Sequence, residues 1–242
     1  MNVLVFTPTW NEAENIESLI LEIMAVKPEV HLLVVDDHSP DGTGEIADRL
    51  SKQYSRLHVL HRDGPRGRGW AGIAAYIWAL DHSYDCIVEM DADFSHQPQY
   101  IPDFIKALEK ADMIIGSRYL PGGGDMRPGQ IRRWISRLAN QYQRMMFGTH
   151  IKDCTSGYRA YRAELLEKIG SRKLETWGPA ILSDVLYRAI RSSAKITEIP
   201  IEFPDRQRGE STLTMKILWE GIVNVARLRF RGAKIYPSSK NS

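Results

Sequence analysis

The residue types best suited to chemistry lie in one short run, Asp91-Ala92-Asp93-Phe94-Ser95. It follows the apolar stretch Cys86-Ile87-Val88-Glu89-Met90, which reads as a buried strand. Two carboxylates one residue apart at the carboxyl end of a strand can share one divalent cation. Hard cations such as Mg²⁺ take oxygen ligands and typically hold one or two protein carboxylates together with substrate phosphates. A lone D-x-D is more often a solvated turn. Here two other strand ends also carry acidic groups, Glu12 after the first strand and Asp36-Asp37 after the second.

The elements that must position these groups can be read from periodicity. Val3-Leu4-Val5-Phe6, His31 to Val35, Leu57 to Leu60, Cys86 to Met90 and Met113 to Gly116 read as five strands. Helical spacing separates them: Ile16, Leu19, Ile20 and Ile23; Ile46, Ala47 and Leu50; Gly72 to Asp81; and Ile101, Phe104, Ile105 and Leu108 after Pro98. Asn11 stands where an N-cap belongs, with Glu14 as capping-box partner, and Pro28 closes that helix. Strands joined by single helices imply a mostly parallel sheet flanked by helices, an α/β fold, with ligands outside the carboxyl ends of the strands. Thr7 to Glu12, Asp36 to Asp41 and Asp91 to Ser95 therefore converge on one edge.

After Gly116 the pattern changes. Tyr119 to Gly129 is a Gly- and Pro-containing loop, Gln130 to Phe147 a helix, Lys195 to Ile199 a half-exposed strand, and Leu213 to Phe230 a final amphipathic helix. The expected organisation is a single domain over 1–242, with this part fused to the same sheet as residues 1–118.

Composition bounds the function. A chain of 242 residues with 43% hydrophobic and 26% charged residues is ordinary for a globular protein. A net charge of +2 argues against a general nucleic-acid binder. Cys86 and Cys154 form no C-x-x-C, which fits a reducing compartment and no structural zinc. No signal peptide and no run of about 18 apolar residues is expected to direct or anchor the chain in a membrane.

Six stretches in order carry a family resemblance. Thr7-Pro8-Thr9-Trp10-Asn11-Glu12 resembles P-x-Y-N-E, and Val34-Val35-Asp36-Asp37-His38-Ser39-Pro40-Asp41-Gly42-Thr43 resembles V-D-D-x-S-x-D-G-T. Asp91 to His96 resembles D-A-D-x-S/Q-H. Gly116-Ser117-Arg118-Tyr119, Asp153 to Arg159, and Asp205 to Ser211 resemble three later motifs. Together they resemble the catalytic domain of the polyprenyl-phosphate (dolichol-phosphate) mannosyltransferases, inverting family-two glycosyltransferases with the GT-A (Rossmann-like) fold. The likeness runs from Thr7 to about Ser211. Trp10 stands where the family usually has tyrosine, Arg66 to Gly72 matches K-x-x-G-L-G only loosely, and Leu182-Ser183-Asp184 replaces Q-x-E. The chain is also expected to lack the transmembrane hairpins of some relatives.

The resemblance implies transfer of mannose from GDP-mannose to a polyprenyl phosphate, aided by Mg²⁺ or Mn²⁺. Other donors such as UDP-glucose, or a non-catalytic nucleotide-sugar-binding subunit, are the competing readings. Asp93 and Asp91 become the implied metal ligands and, with Arg118, the implied catalytic groups, with Ser95 in the family's third metal position. His96 is left out of that set. Pro8, Trp10, Asn11, Glu12 and Asp37 would grip base and ribose, with Ala92 also against the donor. Arg66 and Arg68, in a Gly-rich loop before a helix, would meet the donor phosphates, and a loop bearing Arg206 and Arg208 would close over the donor.

The acceptor-side half is 119–242, and the implied ligands of the acceptor phosphate are Arg118, at its boundary, with Arg132, Arg133 and Ser136. Arg127 to Arg144 contains five arginines and no acid, and arginine forks match phosphate oxygens. A phosphate monoester, with a second pKa of about 6, is already a nucleophile at neutral pH, so no catalytic histidine is needed. One displacement would invert the anomeric centre. Arg206 to Lys234 holds seven basic and two acidic residues beside an apolar stripe, Met215, Leu218, Trp219, Ile222 and Val225. Such a helix suits the cytoplasmic face of a membrane or a small membrane-anchoring partner.

Overall fold

Alternation inside each apolar run decides the architecture. In β1 (Val3–Thr9), Val3 and Val5 enter one core while Leu4 and Phe6 enter another. β2 (His31–Asp36) divides likewise, Leu32 and Val34 against Leu33 and Val35. A strand apolar on both faces must be covered on both faces. One layer is α1 (Ile16–Val26), α2 (Thr43–Ser51) and α4 (Ile101–Leu108). The other contains α3 (Arg68–Asp81), α6 (Ala163–Lys168), α7 (Ile181–Arg191) and the buried residues Val225 and Leu228 of α8 (Met215–Arg231). Each fully buried Leu, Ile or Phe contributes about 1.5–3 kcal/mol. The computed structural model describes residues 1–26, 30–174, 178–205 and 215–232, without the side chains of residues 132, 215–217 and 231.

The remaining strands are β3 (Leu57–His61), β4 (Cys86–Glu89), β5 (Met113–Ser117), β6 (Gly124–Asp125), β7 (Arg159–Arg162), β8 (Ile196–Pro200) and β9 (Glu202–Phe203). Seven form one sheet in the order β3-β2-β1-β4-β7-β5-β8, and β6 pairs with β9 separately. Among the described residues only β7 runs antiparallel in the large sheet. The α/β class and the mostly parallel sheet are as expected. Thr9 pairs with Asp36 and Phe6 with Glu89, so the carboxyl ends of β1, β2 and β4 lie on one edge of the sheet, with β4 ending three residues short of β1 and β2.

Three local expectations need correction. Asn11 does not cap α1: it sits in the left-handed region (φ 57°), its amide donates to Ser39 Oγ (3.1 Å), and the helix begins at Ile16. The Glu12 carbonyl instead accepts from Asn15 and Ile16 (2.9 and 2.8 Å). α3 starts at Arg68, four residues before Gly72, and Pro98 opens a single 3-10 turn ahead of α4. β7 was not expected at all. Its four residues begin and end with arginine, and Arg159 is fully buried because its guanidinium donates to the carbonyls of Cys154, Ser156 and Leu182 at 2.6–2.7 Å. Pro28 lies outside the described residues.

Candidate active site

Three strand ends build the first wall. Asp36 accepts from Thr9 Oγ1 (2.9 Å), the Ser39 amide (2.9 Å) and Ser39 Oγ (2.5 Å). Asp41 accepts from the Ala13 amide and from Thr43. Burial works against the Asp41 charge, but these hydrogen bonds hold its carboxyl below the usual range. Asp36 and Asp41 thus stitch the β1 and β2 turns together. Asp37, expected to meet base or ribose, instead has both oxygens engaged, one by Arg62 and one by the Gly67 amide (2.8 Å). It orders the loop before α3. On that loop Arg66 lies over the half-exposed ring of Trp10, 4.0 Å from its centroid. Pro8 and Glu12 are half-buried beside it, and Asn11 is exposed.

The end of β4 carries the paired aspartates. Phe94 takes a left-handed conformation (φ 60°), a costly one for a bulky residue. The turn lets Asp93 Oδ1 accept from the Ser95 amide (3.1 Å) and Ser95 Oγ (2.5 Å). Asp93 is 4% exposed, and Ala92 is also buried. Asp91 keeps 30% of its side chain exposed. Its amide donates to His96 Nδ1 (2.8 Å), so that nitrogen is an acceptor and the imidazole is neutral. Burial pushes the His96 pKa down despite Asp91 and Asp93 nearby. Its 3.7 Å approach to Asp91 Oδ2 is therefore no ion pair. Stacked on Tyr158 (4.9 Å), His96 supports the turn.

Arg68 reaches this turn from the start of α3. Its Nε and Nη2 lie 3.2 and 3.0 Å from Asp91 Oδ1, and Nη2 lies 3.1 Å from Glu89 Oε1. A positive group already occupies the face of Asp91. Among the described residues no three His, Cys, Asp or Glu side chains are grouped to hold a metal. The protein supplies two hard oxygen donors here, and the donor set fits a cation whose other ligands come from a diphosphate and water.

Arg118 follows β5 on the same edge. It is 6% exposed and is locked: Nε and Nη2 donate to the two oxygens of Asp153 (2.7 Å each), Nη2 also to Thr155 Oγ1 (2.8 Å), and its amide to Asp153 Oδ2 (3.0 Å). Only its Nη1 side, 4.0 Å from Asp125, faces elsewhere. Arg118 lines a cavity of about 360 Å³ with Tyr119, Arg133, Trp134 and Arg137. A second cavity of about 520 Å³ shares Tyr119 and Arg137. Ser136 accepts from the Tyr119 hydroxyl (3.0 Å) and lines neither cavity. Arg137 was missed by the sequence reading, although its spacing of four from Arg133 puts both on one face of α5 (Gln130–Phe147). The Arg132 side chain and all of Arg206 and Arg208 lie outside what is described.

One ring joins the two regions. Phe203 meets His96 edge-on at 5.4 Å and lies under the Arg118 guanidinium at 5.2 Å. The paired aspartates and the arginine-lined cavity are therefore neighbours.

This chain is similar to known proteins over nearly all of its length. It is 42% identical over 227 residues to undecaprenyl-phosphate mannosyltransferase of Micrococcus luteus, covering 94% of this chain and 93% of that one. It is 40% identical over 237 residues to polyprenol monophosphomannose synthase of Mycolicibacterium smegmatis, covering 95% and 87%. Among solved structures, glucosyl-3-phosphoglycerate synthase of Mycobacterium tuberculosis in complex with Mn²⁺, UDP and glucosyl-3-phosphoglycerate superposes with a TM-score of 0.70 at 20% identity, over 94% of this chain and 79% of that one. That likeness carries the GT-A fold. Residues 4–170 match the profile described as Glycosyl transferase family 2, and the chain belongs to that family of glycosyltransferases.

Proposed function

We propose that the protein transfers mannose from GDP-mannose to a polyprenyl monophosphate with inversion at the anomeric carbon. The observation that carries this reading is the adjacency of the Asp91–Asp93 turn and the cavity lined by Arg118, Arg133 and Arg137, across Phe203. Two chain-length relatives with lipid-phosphate mannosyl-transfer names support it.

Asp91 and Asp93 would hold Mg²⁺ or Mn²⁺ on the donor diphosphate. A bound cation neutralises charge on the departing nucleoside diphosphate. Trp10 offers a ring face, backed by Arg66, on which a base can stack, with Pro8, Asn11 and Glu12 around it. Arg133, Arg137 and the Nη1 side of Arg118 would grip the acceptor phosphate. Their charges hold two anions close together, which water would not. The acceptor oxygen is already ionised, so alignment supplies most of the rate. An α-linked donor gives a β-linked product. Residues 1–118 serve the donor and 119–242 the acceptor, with Arg118 at the boundary reaching the acceptor phosphate.

The test is a donor panel. GDP-mannose, UDP-glucose and other nucleotide sugars are incubated with a short polyprenyl phosphate and Mg²⁺ or Mn²⁺, and the lipid is weighed by mass spectrometry. A lipid phosphate carrying one hexose from GDP-mannose is expected. The same product from UDP-glucose alone would replace the donor, and no product from any donor would favour a binding subunit.

The protein works peripherally, at the cytoplasmic face of a membrane or on a small membrane-anchoring partner. Among the described residues no helix is long and apolar enough to cross a bilayer. α5 exposes Ile131, Trp134, Leu138 and Met145, and α8 exposes Trp219, Ile222, Val223 and Phe230. The Tyr142 hydroxyl donates to the Ile222 carbonyl (3.0 Å), tying the two helices together. Of the stripe read from the sequence of α8, Val225 is buried in the core, Leu218 is half-buried, and Trp219 and Ile222 are exposed. The exposed faces carry Arg137, Arg144, Arg227 and Arg229 beside the apolar side chains, a pattern suited to an anionic bilayer. Trp134→Ser with Trp219→Ser should cut co-sedimentation with anionic vesicles by about tenfold. Equal pelleting of variant and parent would remove this surface from the account.

A further inference from the structure

We propose that Arg68 is a resident counter-ion for Asp91 that yields its place to the donor's cation by turning onto Glu89. The inference rests on the Asp91–Asp93 metal reading above.

Glu89 and Asp91 are two residues apart at the end of β4 and both reach Arg68. Glu89 is fully buried. Its Oε2 accepts from the hydroxyls of Tyr76 (2.7 Å) and Tyr161 (2.9 Å), which fix the carboxylate and aim Oε1 at the guanidinium. Arg68 Nη2 donates to the Gly157 carbonyl (3.3 Å) and lies at ion-pair distance from Asp91 Oδ1 (3.0 Å) and from Glu89 Oε1 (3.1 Å), the Glu89 contact lacking hydrogen-bond geometry.

Two buried atoms here have no hydrogen-bond partner, Arg68 Nη1 and Glu89 Oε1. Each orphan carries a desolvation cost. They belong to neighbouring, oppositely charged groups. One turn of the guanidinium sets its fork squarely on Glu89 and satisfies both. That turn gives up Asp91, which tolerates the loss only when another cation arrives. The geometry therefore has two seats for one arginine, and the occupant of Asp91 selects between them.

Gly157 keeps the space open: a Cβ there would stand 2.6 Å from Nη2. Arg68 remains charged in both seats. Burial opposes its charge, but Asp91 and Glu89 more than offset that, and its pKa is raised. The consequence is ordered loading. A bare cation must compete with Arg68, whereas a cation carried by the diphosphate brings further ligands and binds readily.

The experiment is titration of the full chain with Mn²⁺ alone, without nucleotide, reading free Mn²⁺ by electron paramagnetic resonance. Arg68→Gln should bind Mn²⁺ about tenfold more tightly than the parent, because the competing charge is gone. Glu89→Gln should bind it severalfold more weakly, because Arg68 loses its alternative seat. Should Arg68→Gln not fold, with Glu89 left buried and uncompensated, the double variant Arg68→Gln with Glu89→Gln restores neutrality and should also bind more tightly than the parent. Asp93→Asn separates the two layers of the claim. If Asp93→Asn loses Mn²⁺ binding but the Arg68 variants match the parent, the latch is wrong and the metal reading stands. If the parent and Asp93→Asn behave alike, the metal reading fails and the latch with it.

Discussion

Asp93→Asn is expected to lower the rate of sugar transfer by about 10³-fold while leaving the folded protein intact. The Asp93 carboxylate serves both the turn and the cation. Oδ1 accepts from the Ser95 amide and hydroxyl and so holds the turn in which Phe94 is left-handed. Asparagine retains that carbonyl oxygen, and the turn survives. What disappears is the negative charge that would clasp the cation opposite a leaving diphosphate. Alanine removes both functions and mixes folding with chemistry, so asparagine is the informative change. Initial rates at saturating Mg²⁺, paired with a thermal melt, give the two readouts separately. A rate within a few-fold of the parent would mean that Asp93 holds only its turn.

Asp153→Ala should cost about 3–5 kcal/mol of stability, read by urea denaturation. Asp153 is fully buried and carries the Arg118 guanidinium through two hydrogen bonds of 2.7 Å. Its removal leaves an arginine charge buried without its partner, the costliest way to break such a pair. The pair also sets a pH dependence. Burial disfavours ionised Asp153, but Arg118 outweighs it and holds the carboxyl below its usual range. Its folded pKa is thus depressed below the unfolded value of about 4, so the stabilisation is complete above that value and is lost as pH falls through the folded one. Asp125 and Asp41 shift in the same direction and add to the loss. The parent therefore weakens below about pH 5, and the gap between parent and variant narrows on acidification. A gap that stays constant to pH 3 would contradict this assignment.

Much of this arrangement was legible in the sequence, for a physical reason. Five strands had apolar runs because both faces of each are covered, and their parallel order follows from the single helices between them. Three polar strand ends then had to meet on one edge. The pairings across that edge were not legible. Arg118 looked free to bind phosphate because its partner Asp153 lies far along the chain, and no local period links them. Asp37 read as a base ligand, whereas its oxygens are engaged by Arg62 and Gly67. β7 was hidden because its arginines interrupt the apolar signal, although Arg159 is buried with three carbonyls around it. Arg68 could be placed in a glycine-rich loop, but its position between Glu89 and Asp91 depends on β4 and α3 packing together. Sequence period reports burial and direction; which charge meets which is decided only when the sheet forms.

In the proposed reaction the paired aspartates at the end of β4 hold the donor diphosphate through a cation. Anomalous diffraction from a crystal soaked with Mn²⁺ and GDP-mannose tests it most directly. The predicted result is one manganese peak between the Asp91 and Asp93 carboxylates and the diphosphate, with the Arg68 guanidinium turned to Glu89. A diphosphate bound elsewhere on the molecule, with no manganese at those two carboxylates, would contradict it.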